Sequence, residues 1–148
     1  MFKEGMLFFL LLLSSSLLGW SQNTAILNGK WSGKLTQVDG GFSDEYDFEI
    51  YVIGDDKSYQ GRTYVEVPNV LGIMSFTAKL NSKTFYLEEA ELLYSRKPED
   101  MSWCFKRMQL RVVKRKGQWY LEGPWQGSSK YGNCQPGWVS LVKEVPKV

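Results

Sequence analysis

From residue 28 to residue 144 the chain is cut into short stretches of alternating apolar and polar side chains by clusters of turn-forming residues, and this rhythm constrains the fold more than any other feature. It points to an antiparallel all-β domain. Eight strand-like segments are predicted, at residues 30–38, 44–53, 58–67, 72–80, 84–95, 103–114, 118–125 and 137–144. Between them stand Asp39-Gly40-Gly41, Gly54-Asp55-Asp56, Pro68-Asn69, Asn81-Ser82, Lys116-Gly117 and the longer stretch 127–136. Residues 87–95 also fit an amphipathic helix, but they follow Phe85 and Tyr86 and lie between β-type turns, which favours a strand.

Because successive side chains on a strand point to opposite sides, each segment can be given an inner face. Tyr46, Phe48, Ile50 and Val52 form one inner row, and Tyr59, Gly61, Thr63, Val65 and Val67 the next. Met74, Phe76, Ala78 and Leu80 follow, then Cys104, Lys106, Met108, Leu110 and Val112, then Trp119, Leu121, Gly123 and Trp125. Trp31, Gly33, Leu35 and Gln37 lie together in the first segment. About eight meandering strands with one apolar face each close most economically into an up-and-down barrel, since closure removes exposed edges. A two-sheet sandwich is the alternative; the two differ in whether the first and last strands pair.

The first 21 residues read as a secretory signal: Lys3 in a polar start, an apolar run over 6–13, three serines, and the small pair Gly19 and Ser21 before a cut at Gln22. The competing reading, a retained anchor, must work with the 16 residues from Gly5 to Trp20, interrupted by serines. A bilayer span needs about 20. Residues 22–148 then form a single domain, exported to the periplasm or beyond the cell and with no membrane span of its own. Cys104 and Cys134 are an even pair on an exported chain, which suggests one disulfide rather than two buried thiols. On the chain-entropy picture such a bond stabilises by roughly 3 to 4 kcal/mol.

The chain contains no His, which excludes Ser-His-Asp and Cys-His catalysis and His-based zinc sites. Its 18 Lys and Arg against 16 Asp and Glu leave +2, too balanced to favour nucleic acid or an anionic membrane. No metal or cofactor is expected, and no enzyme motif is present. Glu88, Glu89 and Glu91 are the densest acidic cluster, with Glu89 and Glu91 about 7 Å apart on one strand face by regular geometry. That spacing is compatible with a carboxylate-based hydrolase, or with a solvated outer face. Lys106 interrupts an apolar inner row and must reach water, lose its charge, or pair with Glu89 or Glu91 across the strands. Gln37 is a second polar residue in an inner row, and the expectation is that Lys106, Gln37 and one of the two glutamates converge below Tyr46 and Tyr59. Trp103, Tyr131 and Trp138 fall at segment ends or in the long loop, where aromatic rings meet water and can meet a sugar or peptide.

The opening Leu27-Asn28-Gly29-Lys30-Trp31 resembles the Gly-x-Trp start of the calycins, the barrels that include lipocalins and avidins. The run Tyr59-Gln60-Gly61-Arg62-Thr63-Tyr64 is similar to part of an avidin strand, although no second lipocalin motif and no biotin-binding set follow. A likeness spread over most of the mature chain is to uncharacterised secreted domains of Bacteroidota-type bacteria. It is carried by residues 31–37, Gly61-x-Thr63-Tyr64, 103–106, Gly123-x-Trp125 and Cys134-x-Pro136-Gly137. The resemblance implies export and a compact β fold, with no known activity. Together these readings predict an exported, non-enzymatic, monomeric barrel that binds a small-molecule, sugar or peptide ligand. The candidate contacts are Lys106, Glu89, Glu91, Gln37, Tyr46, Tyr59, Trp103 and Tyr131. A filled barrel acting as a structural module of the cell envelope is the alternative.

Overall fold

A computed structural model describes residues 26–147. The predicted signal segment lies outside the described residues. Among the described residues nine strands are present: β1 (Gly29–Thr36), β2 (Glu45–Asp55), β3 (Ser58–Val67), β4 (Val70–Asn81), β5 (Thr84–Arg96), β6 (Phe105–Arg115), β7 (Gln118–Ser129), β8 (Gly132–Asn133) and β9 (Gly137–Lys143). Each pairs antiparallel with its neighbour in the meander through β7, and β9 returns to lie between β7 and β1. First and last strands therefore pair, from Trp31 opposite Lys143 to Leu35 opposite Val139, and the sheet closes as an eight-stranded barrel. The sandwich is excluded, and the architecture is consistent with the calycin-like expectation. The short β8 is the one strand the alternation did not announce; its two residues pair with Ser128 and Ser129 as an extension of β7.

Alternation explains the core. Phe48, Ile50, Val52, Met74, Phe76, Met108, Leu110 and Leu121 are all buried, and every one comes from a predicted inner row. Tyr59, Phe76 and Phe85 meet edge to face, with ring centroids 5.4 and 6.5 Å apart for the Tyr59–Phe85 and Phe76–Phe85 pairs. Such contacts add to the burial of large apolar faces.

The two ends of the barrel differ. At one end, which we call the hairpin end, strands turn over two residues, with Asp56 at φ 48°, Ser82 at φ 56°, and Lys116 and Gly117 at 49° and 78°. Those positive angles match the right-handed twist of the flanking strands. The segment preceding β1 closes this end: Trp31 is fully buried and its indole N–H donates to Leu27 O at 2.9 Å. Lys143 donates to the carbonyls of Ile26 and Asn28 and stands 5.7 Å from the centre of the Trp31 ring. At the opposite, loop end lie the tight Pro68-Asn69 turn and three longer connections, 37–44, 97–104 and 130–136.

Trp31 thus joins the opening strand, the closing strand and the plug of the hairpin end. Trp31→Ala should cost about 3 to 5 kcal/mol in denaturant-induced unfolding, the range for a core aromatic. A loss below about 1 kcal/mol, typical of a surface change, would contradict its place as the closure.

Candidate functional site

The β5–β6 ladder runs only from Thr84 opposite Arg111 to Glu88 opposite Arg107. Beyond it, Ala90 and Leu93 stand unpaired in β5, because Phe76 pairs with Glu89 but Ser75 with Glu91, and Met74 with Leu92 but Ile73 with Tyr94. Extra residues of this kind bend a strand and reset its alternation. Glu89 consequently points into the barrel while Glu91 lies exposed outside, its backbone N–H donating to Ser75 Oγ at 3.1 Å. The regular-strand expectation that the two glutamates share a face is therefore corrected by the bulge.

Glu89, 5% exposed, takes the place of the missing ladder partner. Its Oε2 accepts the backbone N–H of Lys106 at 2.8 Å and pairs with the Lys106 ammonium at 3.0 Å, while its Oε1 accepts the Thr63 hydroxyl at 2.6 Å. Lys106, 4% exposed, also donates from Nζ to Cys104 O at 3.1 Å. Both charges are thus buried but paired and hydrogen-bonded, the condition under which buried ions are tolerated.

Lys106 also lines a cavity of about 440 Å³ that opens among the connections of the loop end. Gln37 and Tyr46 border it on another side, and Phe42, Met101, Trp103 and Trp125 supply apolar and aromatic wall. The Tyr46 hydroxyl accepts the Ser43 N–H at 2.9 Å and donates to Gln37 Oε1 at 3.2 Å, while Gln37 Nε2 donates to Gln135 O at 3.0 Å. Burial pushes the Tyr46 phenol above its ordinary pKa, against a smaller opposing effect of the Ser43 hydrogen bond. Trp103 is 8% exposed, so the expectation that this segment-end ring meets water is corrected. Its indole N–H donates to Ser95 Oγ at 2.7 Å and its ring packs on Gly72, where an added Cβ would come within 2.6 Å. Cys104 next to it is disulfide-bonded to Cys134, which fastens the 97–104 connection to the 130–136 connection. A disulfide fits an oxidising compartment.

Of the residues singled out from sequence, Lys106, Gln37, Tyr46 and Trp103 border one cavity, with Glu89 buried against Lys106. Tyr59 does not join them. It sits near the hairpin end against Phe85, because position on an inner row gives the side of the sheet but not the height along the axis. Tyr131, 79% exposed, is at the tip of the 130–136 connection and does not border the cavity. Thr63 belongs to a predicted inner row; its hydroxyl is the partner of Glu89 Oε1, and a lone Thr within an apolar row is the available signal. Phe42 and Met101 gave no signal, since they lie in connections without periodicity.

A larger groove, about 990 Å³, crosses the outside of the barrel past Tyr86, Arg107, Gln126 and Trp138. Those side chains are exposed or half-exposed, whereas the loop-end cavity reaches a buried ion pair, and the latter is the stronger candidate site. Among the described residues no group of three His, Cys, Asp or Glu side chains is placed to hold a metal ion. Neither the protein-family models nor the curated proteins compared with this sequence give a match.

The hydrogen bonds make the two ions unequal. Glu89→Ala strips the ammonium, the Lys106 N–H and the Thr63 hydroxyl of one shared partner and should cost about 3 to 5 kcal/mol, as breaking a buried pair does. Lys106→Met leaves Glu89 with two donors and should cost less. Combining Lys106→Met with Glu89→Gln should restore stability to within about 1 kcal/mol of wild type, because an apolar substitute often equals a buried ion pair. Urea unfolding of the wild type and the three variants checks this, and a double variant no more stable than Lys106→Met would contradict it.

Proposed function

We propose that this protein is an exported, non-enzymatic binding module that takes a small molecule into the loop end of its barrel. The observation that carries this reading is the 440 Å³ cavity: it falls within the size range of small-molecule sites, about 300 to 1,000 Å³, and combines aromatic walls with a few placed polar groups. The rest of the architecture supports it. Three longer connections gather at one end on a rigid, plugged barrel, the usual arrangement in which loops carry recognition and strands carry stability. The disulfide pins two of those connections, so the walls are preorganised rather than assembled on binding. Export rests on the reading of the first 21 residues and is supported by the disulfide. A carboxylate-based hydrolase is a weaker reading, since Glu91 lies outside the barrel and Glu89 already receives three donors.

A fragment screen by NMR on the isotope-labelled, disulfide-bonded protein tests the proposal. Binders should shift the indole N–H resonance of Trp103, which borders the loop-end cavity and not the outer groove, together with those of Trp125 and the Gln37 amide, which border both. Filling the cavity with Val65→Trp should abolish those shifts while the rest of the spectrum stays native-like. Binders confined to Tyr86, Arg107 and Trp138 would move the site to the outer groove and contradict the proposal, as would a screen with no binders.

A further inference from the structure

Resting on the reading that the loop-end cavity is a binding site, we infer the chemistry of its occupant: a neutral molecule with an apolar ring body and a hydrogen-bond acceptor, best a carbonyl, directed at Lys106. Donors and acceptors at the site decide this chemistry. An ammonium has three N–H donors. The Lys106 ammonium is ion-paired with Glu89 Oε2 and donates to Cys104 O, and its third N–H has no partner among the described residues, on a side chain that is more than nine-tenths buried and borders the cavity.

Gln37 gives the same sign. The Ser43 N–H can only donate, so the Tyr46 hydroxyl accepts there and must donate to Gln37, which fixes the amide oxygen on that side. The amide nitrogen then faces Gln135 O with one proton and keeps a second. Three acceptors beside them already receive a donor, Glu89 Oε1 from Thr63, Glu89 Oε2 from Lys106 and Gln37 Oε1 from Tyr46, while Asp100, Ser102 and Asn133 also border the cavity. Both indole N–H groups are engaged as well, Trp103 with Ser95 Oγ and Trp125 with Thr36 O at 2.8 Å, so the two tryptophans offer the cavity ring surface without a donor. What Lys106 and Gln37 lack is therefore an acceptor.

Charge selects among acceptors. Glu89 and Lys106 cancel each other and Asp100 also borders the cavity, so an anionic ligand would leave water without a surplus positive charge to receive it. A carbonyl meets the free N–H without that penalty. The walls formed by Phe42, Met101, Trp103 and Trp125 take the ring that carries it.

Three naphthalenes of one shape test the inference: 2-acetylnaphthalene, its isostere 2-isopropenylnaphthalene, in which C=CH2 replaces C=O, and 2-naphthoate. Each is titrated into the full, oxidised protein and followed by the Trp103 and Trp125 indole resonances. The acetyl compound should bind at least about tenfold more tightly than the isopropenyl compound, as one hydrogen bond to a charged donor allows. Naphthoate should bind more weakly than the acetyl compound. The preference for acetyl should vanish in Lys106→Met and shrink in Gln37→Leu, a variant that leaves the ion pair in place. Equal binding of the acetyl and isopropenyl compounds, or tightest binding of naphthoate, would overturn the carbonyl assignment while leaving the cavity a binding site. Failure of all three to shift either indole would overturn the binding reading itself, and this inference with it.

Discussion

Glu89 does what a backbone carbonyl does elsewhere in the sheet: it accepts the N–H of Lys106 where the β5–β6 ladder has stopped. The rest of the loop end depends on that substitution. Because a side chain rather than a strand closes the gap, β5 can bulge at Ala90 and Leu93 and run on past β6, and the 97–104 connection can fold back with Trp103 seated against Gly72. A buried carboxylate in that place needs a cation, and Lys106 supplies it from the strand whose N–H is being held. One residue thus closes the wall, and its partner brings a charged donor to the cavity.

The division between the two ends follows from the same economy. At the hairpin end, two-residue turns and the Leu27–Trp31–Lys143 cluster fill the barrel with close-packed side chains, and the carbonyls of Ile26, Leu27 and Asn28 are met by Lys143 and the indole. At the loop end, packing is replaced by a short list of directed bonds: Glu89 to Lys106 and Thr63, Tyr46 to Gln37, Gln37 to Gln135, and the Cys104–Cys134 disulfide. Buried polar networks that are nearly satisfied hold a defined shape without filling space, which is what a binding cavity requires.

Most of the barrel was legible in the sequence because alternation encodes which side of a sheet each residue faces. The rows of β2, β4 and β7, the inward placement of Lys106 and the disulfide all follow from it or from the cysteine count. Alternation is silent on two other matters. It carries no height along the barrel axis, which is why Tyr59 was grouped with Tyr46 although they belong to opposite ends. Nor does it foresee an inserted residue: the bulge at Ala90 is set by tertiary packing and separates Glu89 from Glu91. Connections have no period at all, so the burial of Trp103 and the cavity walls given by Phe42 and Met101 became visible only once the loops were in place.

The central claim is that the Glu89 carboxylate, not solvent, holds the Lys106 amide. Native-state hydrogen exchange read at that single amide tests it most directly. The account predicts that the Lys106 N–H exchanges as slowly as the ladder amides of β6, and that Glu89→Gln speeds its exchange more than that of the ladder amides of β1 and β9. A Lys106 amide that exchanges in the wild-type protein as fast as an exposed loop amide would contradict it.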